Sequence, residues 1–534
     1  MLRQPTISFI PPWSKSDTLA LFVLLTIAVL LRVVFFTGFF GSDEATYVGV
    51  ASEIARGEWH TYHYVGSNRY GVNLPLAAFL AIFGMHEWSA SLWAFLTSVG
   101  EVGLVYWVAH RLAGRNTAIA AALLLSTTPL HIHLAGRLMA DSPLAFFITL
   151  SFALLLMAEL RQKAFLYFAA GLSAGFVFWI KEVVLIYIVI LGLAVLLLRP
   201  WKNVRLMTIA GLAAAGMANL IFMYVLSGDP LHSLHVLLPR SSAQFVHAEG
   251  LETGAAYYLR YLLLDMRHTG LLGPLAVCGM AFWFLRFRKT PVKDNDIAYA
   301  VVWGLGLMVL FSLFVISFTP PTLITKQTNY MTIFMAPLAI LGGYLAAQMP
   351  PVYRYAVLGS AAAFGILLGA MEQTAIHTFT ANSKAAVIFA SERPAAPVYG
   401  LVNSERASHY YAMFSPNKAP LIRPIAGLSA ADLTPTRGEI AAYAIWDRQT
   451  EDWSFSPLRN QKDIPACWLP MGMLQPVDMG LSSRILLHSL GLLEFLPDNI
   501  MAPVKIRLSG LVHPKPAFIF AIPSGCQFQL AAKQ

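Results

Sequence analysis

Long apolar runs alternate along the chain with short polar connections. A helix of about 20 apolar residues crosses a hydrocarbon core of roughly 30 Å. Eleven runs approach that length: 19–36, 92–108, 118–134, 143–157, 165–180, 183–198, 206–226, 271–285, 297–318, 330–346 and 355–371. The second and third are the least apolar, because they carry Glu101 and many small residues. Lys181 and Glu182 separate a pair of consecutive runs, which predicts a tight turn at one interface. Arg3 and Lys15 precede a full-length apolar run with no small-residue cleavage pattern, so the first run is expected to stay as an anchor.

Positive charge in short loops sets orientation. With the N-terminus cytoplasmic, the inner loops hold Arg111 and Arg115; Arg161 and Lys163; Arg199, Lys202 and Arg205; Arg286, Arg288, Lys289 and Lys293; and Arg354. The short outer loops hold only Arg137, Lys181 and Lys326. One missed helix would invert every later loop, so this alternation also tests the count. Three long segments then face outward: 37–89, 227–268 and the tail from 372 to 534. The expected division is a membrane domain, 1–371, that includes the first two of these as outer loops, followed by a periplasmic domain, 372–534. In the tail, short apolar runs at 397–402, 440–445 and 518–522 and a helix-like stretch at 404–413 suggest a small α/β fold.

Composition agrees. Of 534 residues, 57% are hydrophobic and 12% charged, about half the charge of an ordinary soluble protein. That excludes a soluble enzyme, a disordered chain and, despite the net charge of +9, a nucleic-acid reader. The expected class is an α-helical multi-pass protein of a bacterial-type inner membrane. Three cysteines, Cys278, Cys467 and Cys526, are too few for a disulfide scaffold or a Cys-based metal site. Cys467 and Cys526 share the tail, and either pair in an oxidising compartment or stay as two buried thiols.

Two acid-bearing segments emerge at the outer face. After the first run the chain reads Gly41-Ser42-Asp43-Glu44-Ala45-Thr46-Tyr47. Ala45, Val48, Ala51, Ile54 and Ala55 then fall on one helical face, as in an interfacial amphipathic helix over 48–59. Ser42 suits an N-cap, with Asp43 and Glu44 in the first turn, so a plain helix start is one reading of these acids. The second segment, Arg137-Leu138-Met139-Ala140-Asp141-Ser142-Pro143, allows the same cap reading. Ionisable groups at span ends are costly, about 2.5–3.5 kcal/mol on insertion scales, and usually mark a site.

The Ser42-Asp43-Glu44 motif, the segment that follows it to Ala55-Arg56-Gly57-Glu58-Trp59, and Arg137 to Pro143 together resemble one family. It is the GT-C membrane glycosyltransferases, in the protein O-mannosyltransferase and aminoarabinose-transferase branch. Lys326-Gln327-Thr328-Asn329-Tyr330 before the tenth run is similar to a further family motif, and the resemblance extends over residues 17–350. It implies a sugar donor linked through phosphate to a polyprenol, a catalytic Asp in the first outer loop and transfer with inversion. Asp43 matches that Asp and Asp141 the second acid, with Glu44 as the next candidate base; His235 and Arg240 resemble the family's phosphate-side His and Arg. One departure is at 70–75, where Asn73 stands near the position of a Lys in the aminoarabinose-transferase type.

The chemistry fits these residue types. A carboxylate that takes the proton of an acceptor hydroxyl contributes about 100- to 10,000-fold, and inversion places it opposite the leaving group. A lipid phosphate leaves as an anion and needs cations and hydrogen-bond donors. Candidates on the outer side are Lys326, Arg240, Arg260, Arg267, Arg69, Arg137 and Lys181, with Tyr330 and His235 as hydrogen-bonding neighbours.

Blander readings stand beside these. Arg260 and Arg267 suit headgroup contact, Arg137 suits a pair with Asp141, and His131 and His133 suit structural roles better than a metal site. Arg32 and Glu101 suit an internal pair. Two carboxylates leave a divalent metal open, although the resemblance to the mannosyltransferase branch does not require one. The partners expected are a lipid-linked sugar donor, an acceptor glycan, lipid or protein, and membrane lipid, with no nucleic acid and a monomeric chain. The alternative function is a transporter or flippase of a lipid-linked sugar; against it, there is no inverted repeat and the charges cluster at one face.

Overall fold

The computed structural model describes residues 13–181, 187–188, 190–192, 202–237, 254–289, 296–318, 321–414, 421–433, 440–453, 456–493 and 498–531. They form two compact units: Met1–Phe36, Glu53–Phe79 and Ser91–Gly369 in the first, and Thr37–Ser52, Leu80–Ala90 and Ala370–Gln534 in the second.

The helices are α1 (Lys15–Val34), α2 (Glu44–Ala55), α3 (Tyr70–Phe83), α4 (Glu87–Ala113), α5 (Arg115–Ser126), α6 (Pro129–Ala135), α7 (Asp141–Arg161), α8 (Ala164–Ile180), α9 (Leu206–Ser227), α10 (Tyr257–Leu263), α11 (Leu272–Lys289), α12 (Ile297–Leu313), α13 (Thr332–Gln348) and α14 (Pro351–Ser391). Among the described residues, six helices are long and apolar enough to cross a membrane, and four shorter apolar ones accompany them. The expected run at 183–198 lies largely outside the described residues.

Two differences from the periodicity have plain causes. The run 118–134 is broken into α5 and α6, which meet at 62°. Pro129 supplies no amide hydrogen and steers the residue before it away from helix. The first outer segment contains a second apolar helix, α3, which Asn73 and Pro75 had hidden in the pattern.

In the first unit α8 packs on α9 through small residues. A Cβ at Gly171 would collide with the Thr208 carbonyl, one at Gly211 with the Phe168 carbonyl, and one at Gly175 with the Ala215 methyl. Gly171 and Gly175 of α8 thus face Gly211 and Ala215 of α9 in the small-xxx-small pattern by which membrane helices approach closely. Gly171→Leu is expected to separate the pair and cost about 1–3 kcal/mol, read as a lower thermal midpoint of the detergent-solubilised chain; an unchanged midpoint would contradict this packing.

Helix α13 is buried on nearly all sides from Thr332 to Ala346, as expected of a core helix apolar all round. Gly343 admits α5 at Ala121 and Thr117, while Gly342 admits α11 at Leu275. Arg32 and Glu101 meet through a third group. Arg32 Nη2 lies 2.6 Å from His131 Nδ1, and His131 Nε2 lies 2.9 Å from Glu101 Oε2. Ser98 accepts from Arg32 Nε at 2.8 Å, and Thr149 donates to Glu101 Oε1 at 2.8 Å. Each of these buried charges thus has polar partners, as a water-poor interior demands. His131 thereby ties bent α6 to α1 and α4.

The second unit holds a five-stranded sheet in the order β4-β3-β5-β7-β6, built of β3 (Val398–Gly400), β4 (Arg423–Pro424), β5 (Ile440–Asp447), β6 (Leu469–Leu474) and β7 (Ala517–Pro523); β1 (Val315–Phe318) and β2 (Pro321–Leu323) form a separate hairpin in the first unit. Strand β3 runs parallel to β4 and β5, and β7 runs antiparallel to β5 and β6. Tyr399, Trp446, Leu458, Trp468, Phe520 and Ile522 form its core. Helix α15 (Val402–Phe414) packs beside β3, and α16 (Gly480–Leu493) and α17 (Asp498–Val512) follow β6. The expected strands and helix thus appear in an α/β tail. Helix α14 continues without a break from the apolar run to Ser391.

Cys467 and Cys526 are disulfide-bonded across 59 residues of chain. Closing a loop of that length removes unfolded-chain entropy worth about 4 kcal/mol. Replacing both by Ser in the full chain is expected to speed proteolysis within 440–530 of the tail; unchanged cleavage would contradict it.

Candidate functional site

In the first unit, the start of α7, the end of α8 and the turn before α13 bring polar side chains together. Asp141 is the first residue of α7, and Pro143 beyond it fits the opening turn. Its carboxylate is fully buried. Lys181, which ends α8, donates from Nζ to Asp141 Oδ1 at 2.9 Å. Asn329 Nδ2 donates to the same oxygen at 3.1 Å. The Lys181 ammonium also lies 4.6 Å from the centre of the Tyr330 ring, a cation–π contact. Asn329 and Tyr330 sit in the 3-10 turn Thr328–Met331. Arg69, at the end of the turn Val65–Asn68, acts electrostatically on Asp141.

A buried ion pair endures only if its remaining lone pairs and protons find partners. Among the described residues, Asp141 Oδ2 has no hydrogen-bond partner. The cluster is therefore a buried polar group with one acceptor open and cations beside it. Arg69 also lines a small cavity with Val65, Asn68, Phe178, Asn219 and Ser233.

The other expected phosphate-side residues are placed as follows. Lys326 is buried and donates to the Ile324 carbonyl at 3.1 Å; burial holds its ammonium below the usual lysine range. Arg137 is buried and lies 3.2 Å from His133 Nε2, while Asp141 takes Lys181 as its ionic partner instead of Arg137. His235 is exposed and pairs with Asp229 at 2.8 Å. Arg240 lies outside the described residues. Among the described residues, no three His, Cys, Asp or Glu side chains gather as metal ligands would.

In the second unit, Asp43 immediately precedes α2. Its backbone carbonyl accepts from the Tyr47 amide at 3.0 Å, and its Oδ2 accepts from the Tyr47 hydroxyl at 3.4 Å. Glu44 is fully buried and its Oε2 accepts from the Ser42 amide at 2.7 Å. The neighbouring acids thus differ: Glu44 closes the turn on Ser42, whereas Asp43 is only partly buried. Asn73 is buried, and its side-chain amide donates to the Ser67 carbonyl at 2.9 Å.

From the sequence, Lys181 is only one of several outer cations, and Asn329 does not stand out at all. Both carry a local signal nonetheless: Lys181 interrupts two apolar runs on the side where positive charge is scarce, and Asn329 stands inside the motif that supplies Lys326 and Tyr330.

Residues 57–227 match the profile of the family described as dolichyl-phosphate-mannose-protein mannosyltransferase. A 94-residue stretch is 34% identical to YkcB of Bacillus subtilis (strain 168), whose own mannosyltransferase name is provisional; it spans 18% of this chain and 13% of that protein. In fold, the chain is similar to ArnT from Cupriavidus metallidurans in the apo state, with a TM-score of 0.55 and 16% identity over 82% of this chain and 95% of that one. ArnT bound to undecaprenyl phosphate is similar at a TM-score of 0.53 and 16% identity, over 82% and 94%. An oligosaccharyltransferase from Archaeoglobus fulgidus, solved with zinc and sulfate, gives a TM-score of 0.51 and 14% identity over 85% and 71%.

Proposed function

We propose that this chain, a membrane protein with the fold of the GT-C glycosyltransferases, moves a sugar from a polyprenyl-phosphate donor to an acceptor hydroxyl on the periplasmic face of a bacterial inner membrane. The observation that carries this reading is the buried Asp141–Lys181–Asn329 cluster with Arg69 beside it. Such a group of oriented cations and donors suits a lipid phosphate better than it suits an apolar helix contact. The undecaprenyl phosphate bound by ArnT, a protein of the same fold, supports the choice of donor class.

In this mechanism the acceptor oxygen attacks the anomeric carbon as the bond from that carbon to the phosphate oxygen breaks. The phosphate leaves with the bonding electrons, and the acceptor proton passes to Asp43. Attack from the face opposite the leaving group inverts the anomeric centre. Lys181, Arg69 and Lys326 contribute positive charge toward the departing phosphate, and Tyr330 and Asn329 hold Lys181 and Asp141 in place. Glu44, committed to the Ser42 amide, supports the turn that carries Asp43.

Purified protein in vesicles, given undecaprenyl-phosphate mannose and undecaprenyl-phosphate aminoarabinose labelled in the sugar together with a bacterial envelope fraction, is expected to attach label covalently to envelope material. Label that reaches the opposite leaflet still joined to the polyprenol would point instead to a carrier.

A further inference from the structure

Residues 38–41, which lead toward α2, are held by Glu87 and by side chains from the tail, all within the second unit. At the upstream end, the Phe39 amide donates to Glu87 Oε1 at 3.2 Å, and Gly38, at φ +64°, packs against the same carboxylate. The Phe39 ring lies 5.1 Å from Tyr410 and 5.8 Å from Tyr411 of α15. Phe40 stacks on Phe379 of α14 at 5.0 Å and meets Trp453 edge-on at 5.8 Å.

The aromatic contacts are a hydrophobic clamp that any docked segment could have. The next one is different in kind. Arg406 Nη1, from α15, donates to the Gly41 carbonyl at 2.6 Å. Gly41 has φ +105°, and Asn403 Oδ1 occupies the space a Cβ would need there. Asn403 is itself fixed, being fully buried and donating from Nδ2 to Ser383 Oγ of α14 at 3.0 Å. Two polar side chains of one tail helix therefore set the backbone direction two residues before Asp43. Further along α2, Ser52 Oγ meets Met413 Sδ of α15 at 3.8 Å, so α15 holds the segment on both sides of Asp43.

We propose that Arg406 and Asn403 are positioning residues for the Asp43 carboxylate, so that the tail is a working member of the catalytic apparatus. This rests on the reading of Asp43 as the base. The aromatic clamp carries the packing of the segment, and the Arg406–Gly41 bond carries its direction. A base misplaced by about 1 Å can cost on the order of 100-fold in rate, whereas the loss of one hydrogen bond beside an intact clamp leaves the unit folded.

The test compares Arg406→Ala, Arg406→Lys and Trp453→Ala in the intact chain, measuring kcat, donor KM and thermal midpoint, with Asp43→Asn in the same assay. Arg406→Ala is expected to lower kcat by about 100-fold with donor KM nearly unchanged, and Arg406→Lys, which keeps a donor for the Gly41 carbonyl, is expected to regain most of it. Trp453→Ala is expected to lower the midpoint without the same loss of kcat per folded molecule. Wild-type kcat in Arg406→Ala, or a loss that only tracks the unfolded fraction, would overturn the positioning role while leaving Asp43 in place. An active Asp43→Asn would remove the underlying reading instead.

Discussion

Asp43→Asn is expected to lower transfer by about 100- to 10,000-fold, the contribution of a positioned general base, and to leave folding and donor affinity nearly as they are. The substitution keeps the size of the side chain and its capacity to accept from the Tyr47 hydroxyl, but an amide cannot take the acceptor's proton. Glu44 supplies the internal comparison. It is fully buried and bonded to the Ser42 amide, so Glu44→Gln is expected to act through the turn, with a lower thermal midpoint and a modest loss of rate. Donor turnover by the two variants, beside donor binding, checks the contrast. Normal turnover in Asp43→Asn would remove that carboxylate from the mechanism and make Glu44 the next candidate.

Lys181→Met is expected to be strongly damaging to the first unit. Asp141 is fully buried, and Lys181 is its only ion-pair partner among the described residues. Without that ammonium the carboxylate keeps the Asn329 donor and only the longer-range charge of Arg69. Breaking a buried pair from one side typically costs about 3–5 kcal/mol, because an uncompensated charge remains. The double change Asp141→Asn with Lys181→Met removes both charges and is expected to recover much of the stability while transfer stays impaired. Thermal midpoints of the two single variants and the double, with donor turnover in each, separate stability from chemistry. Additive losses in the double would show that the two groups do not act as a pair.

Much of the fold was legible because it depends on local pattern. Runs of apolar residues fixed where helices such as α1, α7 and α13 form, and short β-rich stretches located β3, β5 and β7 in the tail. The start of α2 was readable from Ser42, Asp43 and Glu44, although the carboxylate that closes the turn belongs to Glu44 and its partner is the Ser42 amide. What stayed hidden depends on partners distant in sequence. Nothing near Asp141 announces Lys181, 40 residues on, or Asn329, 188 residues on. Nothing near Arg32 and Glu101 announces that His131 bridges them. The grip of Arg406 on Gly41 spans 365 residues, and the only local trace of it is a glycine where the backbone has positive φ. The cysteines were visible, but their pairing depended on β6 and β7 being neighbours in the sheet.

The proposed chemistry is a displacement at the anomeric carbon with a polyprenyl phosphate as leaving group. Its most direct measurement is the stoichiometry and stereochemistry of one reaction: label in the isolated product, free polyprenyl monophosphate released, and the anomeric configuration of the new bond by NMR. One monophosphate is expected for each sugar attached, with configuration opposite to that of the donor. Retained configuration, or donor that remains intact in the presence of active protein and envelope acceptors, would contradict it.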